Sequence, residues 1–387
     1  WRRKATGPRI LCDVRSPRRT PRSPGCRMTR KHNLSAREKA MKFTLTQRVV
    51  AIAAGLILAA TSAHAGVRVV NCDEGDSLQN AIDAGAGSAK AIEIELYGTC
   101  EEDIRISRDG VLISGDGPAT IDGDVRLYNS DGTTLEYLNL TGSGAGLRVV
   151  HSRARLRFVN IFGNAEEGVS VLQNGMLVCI GCRIEYNTAE GVILDNGSAR
   201  LRNTLVEHNG GDGINVSNNG YLNLDGGGVN YHENGIGIRA TRSSSIYLNE
   251  THIGVANPIG ILLGLGSAGS MENSYANANA QVGVLLENNS AFEVIGGGIS
   301  WNGLYGAQVQ SHSTLNIIGT SVDQNNAHGV VVEQDGALFA RDGARVVDNW
   351  AGDGVQIECR DKESSILLDG PVVDDLSTDV NCPDPDF

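Results

Sequence analysis

The chain has 387 residues, with 49 Gly against 9 Pro and only 5% aromatic residues. No Gly-X-Y period accompanies the glycines, which excludes collagen, and apolar residues recur too regularly for a disordered chain. From residue 66 onward there are 18 basic and 43 acidic side chains, a net charge of −25. That balance excludes nucleic acid as a partner and opposes polyanionic glycans unless a divalent cation bridges them.

Residues 1–40 are crowded with Arg and Pro (Arg18, Arg19, Pro21, Arg22, Pro24) and read as an upstream extension outside the fold. Residues 41–65 read as a signal peptide: Lys42 and Arg48 precede an apolar run from Val49 to Ala60, then Ala63-His64-Ala65 before Gly66. The run is too short for a membrane span. The expectation is an exported protein, periplasmic or extracellular, with no membrane span after cleavage.

Six cysteines follow the signal, as suits an oxidising compartment. Their positions suggest Cys72–Cys100 at the N-terminal end and Cys359–Cys382 at the C-terminal end. Cys179 and Cys182 read as a local disulfide or two packed thiols, since no second CxxC completes a zinc site.

Residues 66–110 read as an N-terminal cap with the first coils. Asp76–Ile82 predicts a short helix with Asp76 or Ser77 as N-cap. Residues 111–358 carry a repeat of Gly, apolar, any, apolar, starting at Gly146, Gly168, Gly191, Gly213, Gly235, Gly260, Gly283, Gly306, Gly329 and Gly354. Period-two alternation inside each unit predicts three short strands with one face buried. Such units cannot bury their faces alone, and coiling each onto the last gives stacked parallel sheets. An Asn four residues before Gly recurs at Asn164, Asn187, Asn209, Asn279, Asn302 and Asn325. These amides are expected to stack from coil to coil, with the Gly allowing positive φ at the bend. Residues 359–387 read as a C-terminal cap or tail.

With the cap helix Leu78–Ile82, the turn Gly115-Asp116-Gly117…Ile121-Asp122-Gly123 and the Gly repeat with its Asn column, the chain resembles the pectin-lyase-like superfamily. The resemblance covers about residues 70–360. It implies an all-β fold, a single-stranded right-handed parallel β-helix with coils of about 22–25 residues and an N-terminal helix cap. It is specific for fold and not for activity, because the superfamily includes lyases, hydrolases, epimerases, phage tail fibres and adhesins.

In the superfamily's enzymes the groove lies on an outward sheet, using stacked carboxylates with Arg, Lys or Ca²⁺. Here the middle position after each repeat Gly shows no acid, Lys or His, and the Asp-Pro-His-Asp motif of the uronan epimerase relatives is absent. In the second strand's outward column, Glu272 is expected to stack on Glu293. The position before Gly is richer: Glu167, Glu190 and Asp212 fall on consecutive coils. They are candidate catalytic carboxylates, and equally candidate calcium ligands. Glu207-His208 and His232-Glu233 lie on the same turn. Farther along, Trp301, Tyr305, His328 and Trp350 are candidate glycan-binding residues.

The resulting expectation is an exported β-helix that binds a polysaccharide or surface glycan, or serves structurally, with no required cofactor beyond that candidate calcium. The alternative is a polysaccharide lyase or glycoside hydrolase.

Overall fold

The computed structural model describes residues 67–84, 91–117, 119–232, 235–350, 355–373 and 380–382. The expected extension, signal peptide, Glu233, Asn234, Asp353 and Gly354 lie outside them. Among the described residues no helix is long and apolar enough to cross a membrane.

Two parallel sheets form a solenoid of about thirteen turns. Among the described residues one has 13 strands, from Ile104–Ile106 through Leu147–Val150 and Tyr305–Val309 to Val380–Asn381, and is called the front sheet. The second has 24 strands among the described residues and bends at a corner, as between Arg153–Arg157 and Asn160–Phe162. Ser198–Glu207 and Tyr221–Asn230 run unbroken through that corner and join its two limbs. Alternate residues of every strand enter the core, so Val149, Val171, Leu194 and Val216 stack in the interior without exposure.

The N-terminal cap follows from polar side chains meeting backbone. Ser77 is the N-cap of the helix Leu78–Asp83 and accepts the Asn80 N–H at 3.1 Å. Glu102 adds a carboxylate at the same helix end, accepting from Leu78 N at 2.6 Å. The Gln79 amide accepts from Arg105 N at 2.7 Å and donates to Arg105 O at 3.2 Å, blunting the open edge of the first front strand. All three disulfides are present: Cys72–Cys100, Cys359–Cys382, and Cys179–Cys182 buried across a corner.

The asparagine column is an interior ladder. Asn164 Nδ2 donates to Asn187 Oδ1 at 2.7 Å, Asn187 to Asn209 at 2.8 Å, and Asn302 to Asn325 at 2.8 Å, all buried. It also includes His232, Asn257 and Asn349, three rungs the spacing did not reveal.

The repeat glycines have a different cause from the one expected. None of those among the described residues has a positive φ; Gly146, Gly168, Gly191, Gly213, Gly260, Gly283, Gly306 and Gly329 each lie against a ladder side chain where no Cβ fits, and Gly235 is held instead against the Gly211 backbone. A Cβ on Gly191 would sit 2.5 Å from Val206 Cγ1 and 2.7 Å from Asn209 Nδ2. The left-handed residues are instead the corners, including Tyr186, His208, Tyr231 and Trp301.

Candidate active site

Strand pairing corrects the sequence register at two coils. Ile214 pairs with Ile238, so Gly237 rather than Gly235 is the repeat glycine there. Val330 pairs with Ile357, so Gln356 occupies the glycine position of the last complete coil. The outward middle column of the front sheet therefore contains Arg239 and Glu358, and it is not free of acid. On the second sheet Ser270 pairs with Glu293 and Glu272 with Ile295, so Glu272 does not stack on Glu293.

Glu167, Glu190 and Asp212 do follow one another in register, each offering its carbonyl to the coil before. Their carboxylates have separate surroundings. Asp212 is buried, accepts from Arg239 Nε at 2.5 Å and takes the Ile236 N–H at 2.7 Å. Glu167 lies 3.5 Å from Arg148, which also pairs with Glu166. Glu190 has no ion-pair partner among the described residues.

Calcium needs six or more oxygens around one point, and these three acids do not gather into such a group. Among the described residues the one trio of potential metal-ligating atoms within 4.8 Å is Cys72, Cys100 and Glu102. Its cysteines are bonded to each other, and its carboxylate is committed to the cap helix. The residues present do not fit a calcium ion at either place.

His232, expected beside Glu233 on the turn, is instead a rung of the interior ladder and fully buried. Its Nδ1 faces the Asn209 N–H at 3.4 Å and its Nε2 the Val206 carbonyl at 3.1 Å. A proton on Nε2 alone satisfies both contacts. Burial holds its pKa below the ordinary histidine value.

The front sheet gathers its chemistry at the C-terminal end. Tyr305 and His328 stack on consecutive coils, centroids 6.0 Å apart. His328 Nδ1 lies 2.8 Å from the Val355 carbonyl, which can only accept, so that nitrogen carries a proton. His328 Nε2 lies 3.3 Å from a Glu358 oxygen.

Arg360 ties the group together. It donates to the Tyr305 hydroxyl at 2.7 Å and pairs with Glu333 at 3.2 Å and Glu358 at 3.1 Å. Gln308 donates to Glu333 at 2.7 Å. Burial works against the Arg360 charge, but the Tyr305 oxygen and the two carboxylates outweigh it and raise the guanidinium pKa. A tyrosine hydroxyl, an imidazole and two carboxylates thus share one hydrogen-bonded network on an outward face.

Of the residues singled out by sequence, Tyr305 and His328 belong to this network. Trp301 and Trp350 form their own exposed edge-to-face pair, centroids 5.9 Å apart. Gln308, Glu333, Glu358 and Arg360 were missed as a group, because the glycine pattern shifted Glu358 one column over.

The family model for a right-handed β-helix region matches residues 123–230. No curated protein matches the chain by sequence. Among solved structures the chain is similar to the Agl-KA catalytic domain, at 12% identity over 81% of this chain and 70% of that one, TM-score 0.51. It is also similar to the periplasmic alginate epimerase AlgG, at 13% identity over 79% and 82%, TM-score 0.50. A third likeness is the Azotobacter vinelandii mannuronan C-5 epimerase AlgE6 A-module, at 15% identity over 82% and 97%, TM-score 0.48. Identities this low carry the fold alone.

Proposed function

Taking the chain as a right-handed parallel β-helix of the pectin-lyase-like superfamily, we propose that it is an exported enzyme acting on a uronic-acid polysaccharide by β-elimination. The observation that carries this is the Tyr305–Arg360–Glu358–His328 network. Elimination needs a base for the proton beside the sugar carboxyl group and an acid for the departing glycosidic oxygen. The His328–Glu358 pair supplies the base. Tyr305, whose oxygen already accepts from Arg360, supplies the acid. The carbon–hydrogen proton passes to His328, the carbon–oxygen bond breaks, a double bond forms in the ring, and the Tyr305 proton goes to the leaving oxygen.

Hydrolysis fits this geometry less well. It requires two carboxylates held apart, one of them available to attack or to activate water. Here both are drawn to the same guanidinium, and Glu333 also accepts from Gln308. The likeness in fold to the periplasmic alginate epimerase AlgG supports the substrate class. A binding-only reading keeps one observation in its favour, the exposed Trp301–Trp350 pair, whose rings are accessible to sugar faces.

The test is incubation with polyuronates and neutral glucans while recording ultraviolet absorbance and reducing ends. Absorbing, unsaturated ends from a polyuronate are expected, and they should vanish in Tyr305→Phe. Reducing ends without absorbance would replace elimination by hydrolysis. Binding with no product from any glycan would overturn the enzyme reading.

A further inference from the structure

We infer that the second sheet carries a separate, non-catalytic site for an anionic polysaccharide on the wall formed by Arg153–Arg157, Met176–Ile180 and the first half of Ser198–Glu207. This deepens the preceding reading by stating where the polymer is held, and its binding test does not depend on turnover.

Five arginines project outward from this wall: Arg153, Arg155, Arg157, Arg200 and Arg202. The carboxylates paired with them are three, Asp131 at 3.7 Å from Arg153, Glu136 at 3.3 Å from Arg157 and Asp225 at 3.5 Å from Arg202. These pairs occupy the margins. In the central column Arg155 and Arg200 flank Val178, are exposed, and have no ion-pair partner among the described residues.

Strand spacing places Arg155 and Arg200 about 10 Å apart along the solenoid axis. Two unpaired guanidiniums on one line suit carboxylates recurring along an extended sugar chain, since a planar fork of donors matches a carboxylate bidentately. Apolar rings border the wall: Phe158 follows Arg157 at the corner, stacks on Tyr137 at 5.4 Å, and is 52% exposed.

The charge of −25 does not forbid such a site. Beyond roughly 8 Å exposed charges are screened at physiological ionic strength, so the local excess of arginine decides. An acidic enzyme with a polyanionic substrate has reason to keep one basic surface, and this wall is away from the Tyr305–His328 network on the front sheet.

The test is equilibrium binding of the full protein to soluble polyuronate, at low and at physiological salt. The doubly substituted Arg155→Ala/Arg200→Ala protein is expected to lose most of the salt-dependent binding. Arg155→Lys/Arg200→Lys should keep much of it. Both arginines are exposed, so the thermal midpoint should not move and serves as the folding control. Unchanged binding by the double alanine protein would overturn the inference, as would a parent that binds neutral glucan and not polyuronate. Parental binding without product would instead count against the elimination chemistry and leave this site standing.

Discussion

The Gln356 side chain closes the asparagine ladder: its Oε1 accepts the Asn349 backbone N–H and the Asn349 Nδ2–H, each at 2.9 Å. In preceding coils the next asparagine does this, while glycine occupies the position of Gln356. One residue thus stands in for two, supplying the missing amide from the glycine site as the stack ends. Gln356→Ala would leave the buried Asn349 backbone N–H unsatisfied, while the side-chain amide keeps the Val322 and Val347 carbonyls, costing about 1–3 kcal/mol. Denaturant melts should show that loss, with hydrogen exchange rising first in the strand Ile357–Cys359.

The glycine column makes the opposite prediction from a turn requiring positive φ. If glycine were needed for backbone freedom, Asn would be tolerated there. Because a Cβ on Gly191 collides with Val206 and the Asn209 amide, Gly191→Ala should already destabilise the protein by roughly 1–3 kcal/mol. Gly191→Asn should be no better. Thermal unfolding of the two variants decides between these causes.

His232 gives the fold a defined acid sensitivity. Its native pKa is depressed by burial, with weaker influences from the Val206 and Asn209 backbone, Asp212 and His208. The unfolded chain therefore takes up a proton first, near the ordinary value of about 6.5, and the native chain only at lower pH. Stability from this residue is complete above that value. It falls by up to about 1.4 kcal/mol per pH unit as pH drops below it, until the native group also titrates. Asn, the residue of neighbouring rungs, has no such proton. Unfolding free energies measured between neutral and mildly acidic pH should lose this slope in His232→Asn.

The disulfides should differ in weight. Cys72–Cys100 closes a sequence separation of 28 residues and ties the capped first coil, whereas Cys179–Cys182 spans only 3. In the chain-entropy account, loss of the longer link costs about 3 kcal/mol or somewhat more, and the short one less. Paired serine variants compared by denaturant melts should show that order, with the cap helix exposed to proteolysis only when Cys72–Cys100 is absent.

Fold was legible because burial writes a period of two into each strand, and stacking writes a near-constant spacing into the glycines and asparagines. The site was less legible. Gly235-Ile236-Gly237 offers two glycines two residues apart, and a slip of two preserves the in-and-out alternation that fixes register. At the last complete coil Gln356 has no glycine to mark it, so Gly354 took its place in the pattern. Those slips moved Arg239 and Glu358 off the middle column and hid the contact between His328 and Glu358. The non-asparagine rung His232 was invisible for a related reason: imidazole and amide can fill the same hydrogen-bonding position, yet a lone histidine in a sequence gives no sign of which it does.

The most direct measurement is conversion of a polyuronate by two variants side by side, His328→Ala and Glu190→Gln, against the parent. Loss of general acid–base assistance costs about 10²–10⁴ in rate, so His328→Ala should fall by that order while Glu190→Gln stays near the parent. Activity that survives in His328→Ala and disappears in Glu190→Gln would contradict the assignment and move the reaction to the Glu167–Glu190–Asp212 edge.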